Sequence, residues 1–194
     1  ITLVDVLKKT EAFFKSKGVG SPRLDAELIL GHHLGLDRVQ LYLQFDRPMT
    51  EDDLKPMREH VRRRGEREPL AWILGTKGFW TIDLATHKDV LVPRPDTETL
   101  VQAALERIPE SGDFFVADVG CGSGAVGLSL ACERADIKLF ATDISDAALR
   151  CTQANIKRLS LDGRVAVLKG SLLSPIPADR PIDIVVSNPP YIPS

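Results

Sequence analysis

The segment Asp118-Val119-Gly120-Cys121-Gly122-Ser123-Gly124 decides the fold of this chain. An apolar run over residues 114–118 precedes it and is typical of a buried strand, and residues 124–134 after it have the apolar spacing of a helix. A strand, a glycine-rich turn and a helix in this order predict the first βα unit of a doubly wound α/β sheet. The glycines also let a ligand approach the main chain closely.

Strand-like and helix-like segments continue to alternate after this unit. We predict strands over residues 138–143, 164–168 and 182–186, and a helix over residues 145–159. Such alternation implies parallel strands joined by right-handed crossovers. The predicted fold class is therefore α/β, with four strands of a Rossmann-like, doubly wound sheet.

The first part of the chain has a different character. Residues 1–74 carry apolar positions at helical spacing, punctuated by capping residues, and we expect a small helical domain. Ser21-Pro22 resembles an N-cap followed by proline at the first helical position. Thr50 resembles the cap of a further helix, which Pro56 is expected to kink or to delay.

A linker is predicted between the helical domain and the sheet. Residues 75–95 contain two short strand-like runs, 78–84 and 90–92, which we interpret as a β-hairpin. Residues 96–194 then form the predicted main domain, and its first helix is expected over residues 96–108.

Composition and charge restrict the classes of function. Arg and Lys number 25 against 27 Asp and Glu, so the net charge of −2 argues against strong nucleic-acid binding, which needs a basic footprint. No apolar run approaches the ~18 residues of a membrane span. Cys121, Cys132 and Cys151 lack the spacing of a disulfide or zinc framework, and the four histidines lack metal-ligand spacing. We expect a cytoplasmic protein with free thiols, no metal and no membrane segment.

The acidic end of the second strand suggests what the glycine segment binds. Asp143 lies about twenty residues after the glycines, where a carboxylate can accept hydrogen bonds from both ribose hydroxyls of an adenosine cofactor. Residues 122–127 also fit the G-x-G-x-x-G pattern of dinucleotide-binding proteins. The loop and Asp143 alone therefore leave a nicotinamide or flavin cofactor open.

The tetrapeptide Asn188-Pro189-Pro190-Tyr191 follows the last predicted strand. Ligands of open α/β sheets bind beyond the carboxyl ends of strands near the switch in strand order, so the tetrapeptide should face the glycine segment across one crevice. The side-chain carbonyl of Asn188 and the backbone carbonyl of Pro189 can accept two N–H groups of a planar nitrogen. Tyr191 offers a flat face for stacking. This arrangement predicts transfer of a methyl group to an amide or amino nitrogen.

These residues together resemble the HemK/PrmC protein-(glutamine-N5) methyltransferases. The resemblance covers nearly the whole chain and is most specific at Leu91-Val92-Pro93-Arg94-Pro95-Asp96-Thr97-Glu98. It implies a class I S-adenosylmethionine-dependent methyltransferase with a small N-terminal helical domain. It further implies that S-adenosylmethionine is the cofactor, that S-adenosylhomocysteine is the product, and that the substrate is a glutamine amide in a peptide chain release factor.

The resemblance also assigns site residues by position. The cofactor-binding residues it implies are Gly120, Cys121, Gly122, Ser123, Gly124, Asp143, Leu172 and Asn188. The residues that it places at the substrate are Asn188, Pro189, Pro190, Tyr191, Phe79 and Arg94, of which Asn188, Pro189 and Tyr191 are the expected catalytic residues.

Some alternatives stay open at this point. An adenine-N6 or guanine-N2 nucleic-acid methyltransferase uses the same tetrapeptide, a dinucleotide-dependent oxidoreductase would use only the glycine segment, and a non-catalytic fragment would bind cofactor or partner alone. The basic cluster from Arg58 to Arg67 fits either a partner's acidic patch or RNA, or a solvated helix face. A sheet of the implied class has seven strands and four are counted, so we expect the chain to be truncated after the fourth strand.

Overall fold

The computed structural model describes residues 1–189. Pro190 and Tyr191 of the tetrapeptide therefore lie outside the described residues. The chain forms two compact units, Ile1–Leu74 and Gly75–Ser194.

The first unit is helical, as predicted. Three of its helices start at capping boxes, in which a side chain at the cap and one three residues later bond each other's backbone N–H groups; the caps are Thr2, Asp37 and Thr50. Its five helices are α1 (Leu3–Ser16), α2 (Pro22–Leu34), α3 (Arg38–Leu43), α4 (Glu51–Gly65) and α5 (Leu70–Leu74).

Two local expectations for this unit need correction. Ser21 makes no side-chain cap bond, although Pro22 occupies the first turn of α2 as predicted. Pro56 does not delay α4, which begins at Glu51. The Thr50 capping box satisfies the start of the helix, and Pro56 removes only one backbone hydrogen bond further along.

A buried carboxylate lies between α2 and α3. The Glu27 side chain is fully buried and accepts hydrogen bonds from Arg23 Nε at 2.6 Å, Arg38 Nε at 2.8 Å and the Tyr42 hydroxyl at 2.8 Å. Burial raises the pKa of Glu27, but the bonds from Tyr42, Arg23 and Arg38 together lower it. Glu27 thus links α2 to α3 as a buried, hydrogen-bonded carboxylate.

The second unit contains a two-stranded hairpin and a parallel sheet. Its elements are β1 (Thr76–Phe79), β2 (Ile82–Ala85), α6 (Glu98–Leu105), β3 (Phe114–Val119), α7 (Ala125–Glu133), β4 (Ile137–Asp143), α8 (Asp146–Arg158), β5 (Val165–Lys169) and β6 (Ile184–Ser187). A 3-10 turn, Pro95–Thr97, leads into α6.

The sheet has the predicted parallel pairing. Its strand order is β5-β4-β3-β6, so the first and the fourth strand of the alternation are neighbours. Val119 at the end of β3 is paired with Ser187 at the end of β6. The loops that leave these two carboxyl ends, which carry the glycine segment and Asn188, therefore start side by side. The α/β fold class is confirmed.

The predicted hairpin is present but its strands differ from the prediction. β1 and β2 pair with each other from Thr76↔Ala85 to Phe79↔Ile82, whereas residues 90–92 form no strand. Val90 donates its N–H to His87 O in a turn, and Pro93 has no N–H for a ladder. The helix expected over residues 96–108 is shorter and begins at Glu98.

Among the described residues, no helix has both the length and the apolar character that a membrane crossing would require.

Candidate active site

The glycine segment forms an open turn between β3 and α7. Gly120, Gly122 and Gly124 have φ values of 70°, 58° and 80°, in the left-handed region that favours glycine. A Cβ atom at Gly120 would meet nothing within 4 Å, and one at Gly122 would meet only Val90 Cγ1 at 3.9 Å. These two glycines thus border free space that a ligand can enter. A Cβ at Gly124 would instead lie 2.7 Å from Leu128, so this glycine lets α7 start close to the turn.

Two fully buried polar side chains of α8 support the turn. Thr152 donates its hydroxyl to Gly122 O at 3.0 Å, and Asn155 donates Nδ2 to Ser123 O at 2.9 Å. Asn155 also accepts the N–H of Ala85 at 2.7 Å and donates to the Ala85 carbonyl at 3.1 Å. One side chain therefore joins the hairpin to the glycine turn. The sequence analysis missed both residues, and their only signal was two polar residues on the buried face of α8.

Asp143 lies at the end of β4, behind the glycine turn. Its carboxylate accepts the N–H of Gly122 at 3.0 Å and the N–H of Ser145 at 2.9 Å. A carboxylate can accept about four hydrogen bonds, so these two contacts fix its orientation and leave acceptor positions for a ligand. Leu172 lies on the open surface after β5, where its side chain is 70% exposed and its carbonyl accepts from Thr142 Oγ1 at 2.8 Å.

Two adjoining clefts lie beyond the carboxyl ends of β3 and β6. The inner cleft is lined by the turn from Gly120 to Ser123, by Asp118 and by the start of α7. The outer cleft has a volume of about 790 Å³ and includes Pro189, residues 95–97, Thr99 and Leu100. The residues that line both clefts are Leu91, Arg94, Thr97 and Asn188.

Asn188 therefore lies where the two clefts meet. It follows β6, whose last residue Ser187 donates its hydroxyl to Val119 O at 2.8 Å across the β3–β6 pair. The Asn188 side chain donates Nδ2 to the Thr97 hydroxyl at 3.1 Å. The structure thus brings Asn188 and the glycine turn to one cleft, and it adds Thr97, to which the sequence analysis gave no role.

Asp118 is a buried acid in the wall of the inner cleft. It is 3% exposed, and its Oδ2 accepts the N–H of Gly127 at 2.9 Å. The pKa of Asp118 is raised to about 6, chiefly by burial; the Gly127 hydrogen bond opposes this rise and the nearby Asp143 adds to it. The sequence analysis counted Asp118 as part of the strand and gave it no site role.

Cys121 is the thiol of the glycine turn. Burial raises its pKa to about 12, and its Sγ lies 3.4 Å from the Thr152 hydroxyl. A thiol is not a nucleophile until it is deprotonated, so Cys121 contributes its small size and apolar packing here.

The structure corrects one further site prediction. Phe79 is 2% exposed in the core of the second unit and lines neither cleft, because the twofold alternation of β1 turns its ring inward. Arg94 is exposed and lines both clefts. Glu98 accepts the N–H of Trp80 at 2.9 Å and thereby holds the hairpin turn, in which Trp80 has a φ of 53°.

Within residues 1–189, no group of three or more His, Cys, Asp or Glu side chains is arranged to hold a metal ion. The nearest approach of histidines is in the first unit, where His33 Nε2 and His60 Nδ1 are 3.0 Å apart.

Sequence comparison matches both units to described families. Residues 5–75 match the PrmC N-terminal domain, and residues 95–193, just over half of the chain, match the methyltransferase small domain. Among solved structures, one titled "delta-N METTL16 MTase domain" covers 56% of this chain and 51% of its own, with 19% identity and a TM-score of 0.50. This likeness shows the α/β fold.

Two curated relatives illustrate the sequence similarity. A release factor glutamine methyltransferase of Rhodopirellula baltica is 40% identical over 195 residues, which are 98% of this chain and 66% of the relative. One of Chlorobaculum tepidum is 38% identical over 200 residues, which are 99% of this chain and 68% of the relative. The chain thus spans about two thirds of the length of the curated relatives that it matches, and it belongs to the release factor glutamine methyltransferase family.

Proposed function

We propose that this chain transfers a methyl group from S-adenosylmethionine to the side-chain amide nitrogen of a glutamine in a peptide chain release factor. The observation that carries the proposal is the position of Asn188 on the shared wall of the inner and the outer cleft. A methyl donor beside the glycine turn and an amide in the outer cleft would meet at this residue. The relatives' names and the match of residues 5–75 to the PrmC N-terminal domain support the release factor as substrate.

The inner cleft suits a cation better than a pyrophosphate. When bound, S-adenosylmethionine supplies a methyl group on a positively charged sulfur. Asp118 lines this cleft with a carboxylate, and a negative charge attracts a sulfonium and repels a phosphate. The carboxylate also takes the N–H of Gly127, which lies in the first turn of α7, where a pyrophosphate would seek its donors. This charge distribution disfavours the dinucleotide-dependent oxidoreductase.

The glycine turn offers the remaining features that a cofactor of this kind needs. Gly120 and Gly122 border open space, so a ligand can lie against the main chain. Asp143 retains acceptor capacity for ribose hydroxyls beyond its two backbone contacts. We place Arg94 at the cleft mouth, and we assign Leu172 at most an apolar contact with adenine because its side chain is open to solvent.

The amide nitrogen needs orientation because its lone pair is delocalised. The side-chain oxygen of Asn188 and the carbonyl of Pro189 would accept its two N–H groups and direct the lone pair towards the methyl carbon. A bound S-adenosylmethionine would supply the methyl group, its sulfur would keep the electron pair of the broken carbon–sulfur bond, and the methylated nitrogen would lose one proton to solvent. Orientation of this kind lowers barriers by ~7–11 kcal/mol in favourable cases. Tyr191, which we expect to stack on the amide, lies outside the described residues.

A nucleic-acid amino group is the second candidate substrate, because the same tetrapeptide would align it. The net charge of −2 gives the chain no strong electrostatic attraction to a phosphate backbone. A cytoplasmic location follows from the proposed substrate, because release factors act on ribosomes.

The test is a methyl-transfer assay that offers release factor, DNA and ribosomal RNA in parallel. We expect label in the release factor only, and none in a release factor whose target glutamine is replaced by glutamate. Label that enters nucleic acid but not the release factor would refute the proposal.

Asn188→Ala should abolish turnover and leave the Kd for S-adenosylmethionine nearly unchanged, because the variant removes the acceptor for the substrate and keeps the glycine turn. Gln153→Ala, which removes a carboxamide from the exposed side of α8, is the matched control and should keep full turnover. An Asn188→Ala enzyme that turns over normally would contradict the mechanism.

A further inference from the structure

We propose that Thr97 is a positioning residue, which orients the Asn188 carboxamide so that its oxygen faces the substrate amide. The inference rests on the proposed function, since it concerns the residue that aligns the nucleophile. It starts from the hydrogen bond in which Asn188 Nδ2 donates to Thr97 Oγ1 at 3.1 Å, across 91 residues of sequence.

Thr97 lies at the N-cap position of a helix. It immediately precedes α6, and a threonine at this position usually accepts a backbone N–H from the first turn of the helix. Thr97 makes no such side-chain cap bond, and its φ and ψ of −69° and −18° are helical rather than extended. The preceding turn is held by backbone instead, since the Thr97 N–H donates to Arg94 O at 3.0 Å. The hydroxyl is therefore free of a capping role and is directed to Asn188.

In the structure the nitrogen edge of the Asn188 carboxamide makes the bond to the Thr97 hydroxyl. A carboxamide is planar and carries its nitrogen and its oxygen on opposite edges, so a nitrogen held by Thr97 leaves the oxygen on the other edge. Thr97 and Asn188 both line both clefts, and we infer that this oxygen is directed to the junction of the clefts. The oxygen is the edge that a glutamine amide requires, because an amide presents N–H donors.

Without the Thr97 hydroxyl, the Asn188 carboxamide could turn either edge towards the substrate. The last torsion of an asparagine is broad and roughly twofold, so an unheld Asn188 would also present its own NH₂ group to the substrate. Two donors facing each other repel, and small misplacements of reacting groups are costly: an error of about 1 Å can reduce rate by about a hundredfold. Thr97 acts through Asn188 and needs no contact with the substrate itself.

The first test is kinetic. Thr97→Val keeps the branched shape and removes the hydroxyl, and we expect kcat to fall about ten- to hundredfold while the Kd for S-adenosylmethionine and the melting temperature stay close to those of the parent. Thr97→Ser restores the hydroxyl and should recover most of kcat. The matched control is Thr81→Val. Thr81 lies in the hairpin turn, donates its hydroxyl to Glu133 at 2.9 Å and lines neither cleft, so this variant should leave kcat unchanged.

The second test is independent of turnover. This chain holds two asparagines, Asn155 and Asn188, so labelling with ¹⁵N-asparagine gives two side-chain NH₂ signals. Thr97→Val should shift and mobilise the Asn188 signal, assigned by its loss in Asn188→Asp, and leave the Asn155 signal in place. Asn155 is an internal reference because it makes several hydrogen bonds in the second unit.

The outcomes separate this inference from the proposed function. If the parent enzyme methylates release factor and Thr97→Val does so at the same rate, the positioning role is wrong and the function stands. If the parent transfers no methyl group to release factor, the function is wrong, and the NMR signal still decides whether Thr97 holds Asn188. An Asn188 signal that is unchanged in Thr97→Val would overturn the inference in either case.

Discussion

Replacement of Asp118 by asparagine should stabilise the second unit, and increasingly so as the pH rises. Asp118 is 3% exposed, and its burial raises its pKa from 3.8 to about 6. A raised folded-state pKa means that the protonated acid is the form that the fold prefers. The contribution of Asp118 to stability is therefore fully present below pH 3.8 and is lost as the pH rises through about 6.

The magnitude follows from these two pKa values. At about 1.4 kcal/mol per pKa unit, ionisation of Asp118 costs the folded state about 3 kcal/mol at neutral pH. About one third of this loss has already occurred at pH 4.5, because the unfolded chain is then mostly ionised. The carboxamide introduced by Asp118→Asn has no charge at any pH and keeps an oxygen for the Gly127 N–H. The gain in stability of Asp118→Asn over the parent should therefore be about 2 kcal/mol larger at pH 8 than at pH 4.5.

The assay is urea unfolding followed by the fluorescence of Trp80, in a Trp72→Phe background so that the signal comes from the unit that contains Asp118. Exposed Asp162→Asn controls for the simple loss of one negative charge. A constant offset between Asp118→Asn and parent at all pH values reflects packing alone and would refute the reasoning. The same variant should bind S-adenosylmethionine more weakly, since it removes the carboxylate proposed to face the sulfonium.

Two further predictions concern other carboxylates and histidines. Asp143→Ala should raise the Kd for S-adenosylmethionine by roughly ten- to hundredfold, since it removes the ribose acceptor and the bond that orients Gly122; an unchanged Kd in calorimetry would count against both roles. Burial and the neighbouring histidine charge lower the pKa of His33, and burial likewise lowers that of His60. The fold thus favours their neutral forms, so the first unit should lose stability as the pH falls through about 6.5. A variant with both histidines replaced by glutamine should lose less stability over the same pH interval. Urea unfolding of both proteins above and below about pH 6.5 measures the difference.

The parts of the fold that the sequence predicts correctly depend on local patterns. Apolar runs between turn residues located all four strands of the parallel sheet, and Thr50 indicated a helix start because a cap bonds backbone only three residues away. The position of the tetrapeptide after the fourth strand also predicted that it would face the glycine segment, and Asn188 lines one cleft with Gly120 and Gly122. These inferences need no knowledge of which distant residues touch.

The parts that it missed depend on contacts between distant segments. Asn155 reads as an ordinary helical polar residue until its bonds to Ala85, seventy positions away, are seen. The Thr97 hydroxyl reads as a helix cap until Asn188 reaches it. The resemblance implied Phe79 at the substrate by position alone, and position along the chain does not show that its ring is 2% exposed in the core of the second unit.

The bonds of Asn155 have a practical consequence for dividing the chain. The family match to the methyltransferase small domain begins at residue 95, and a fragment cloned from there would omit Ala85. Its Asn155 would then keep the Ser123 contact and lose two of its backbone partners, and a buried polar group without its partner costs about 1–3 kcal/mol. A fragment for expression, grafting or swapping between homologues should therefore begin near Gly75, about twenty residues before the segment that matches the methyltransferase small domain.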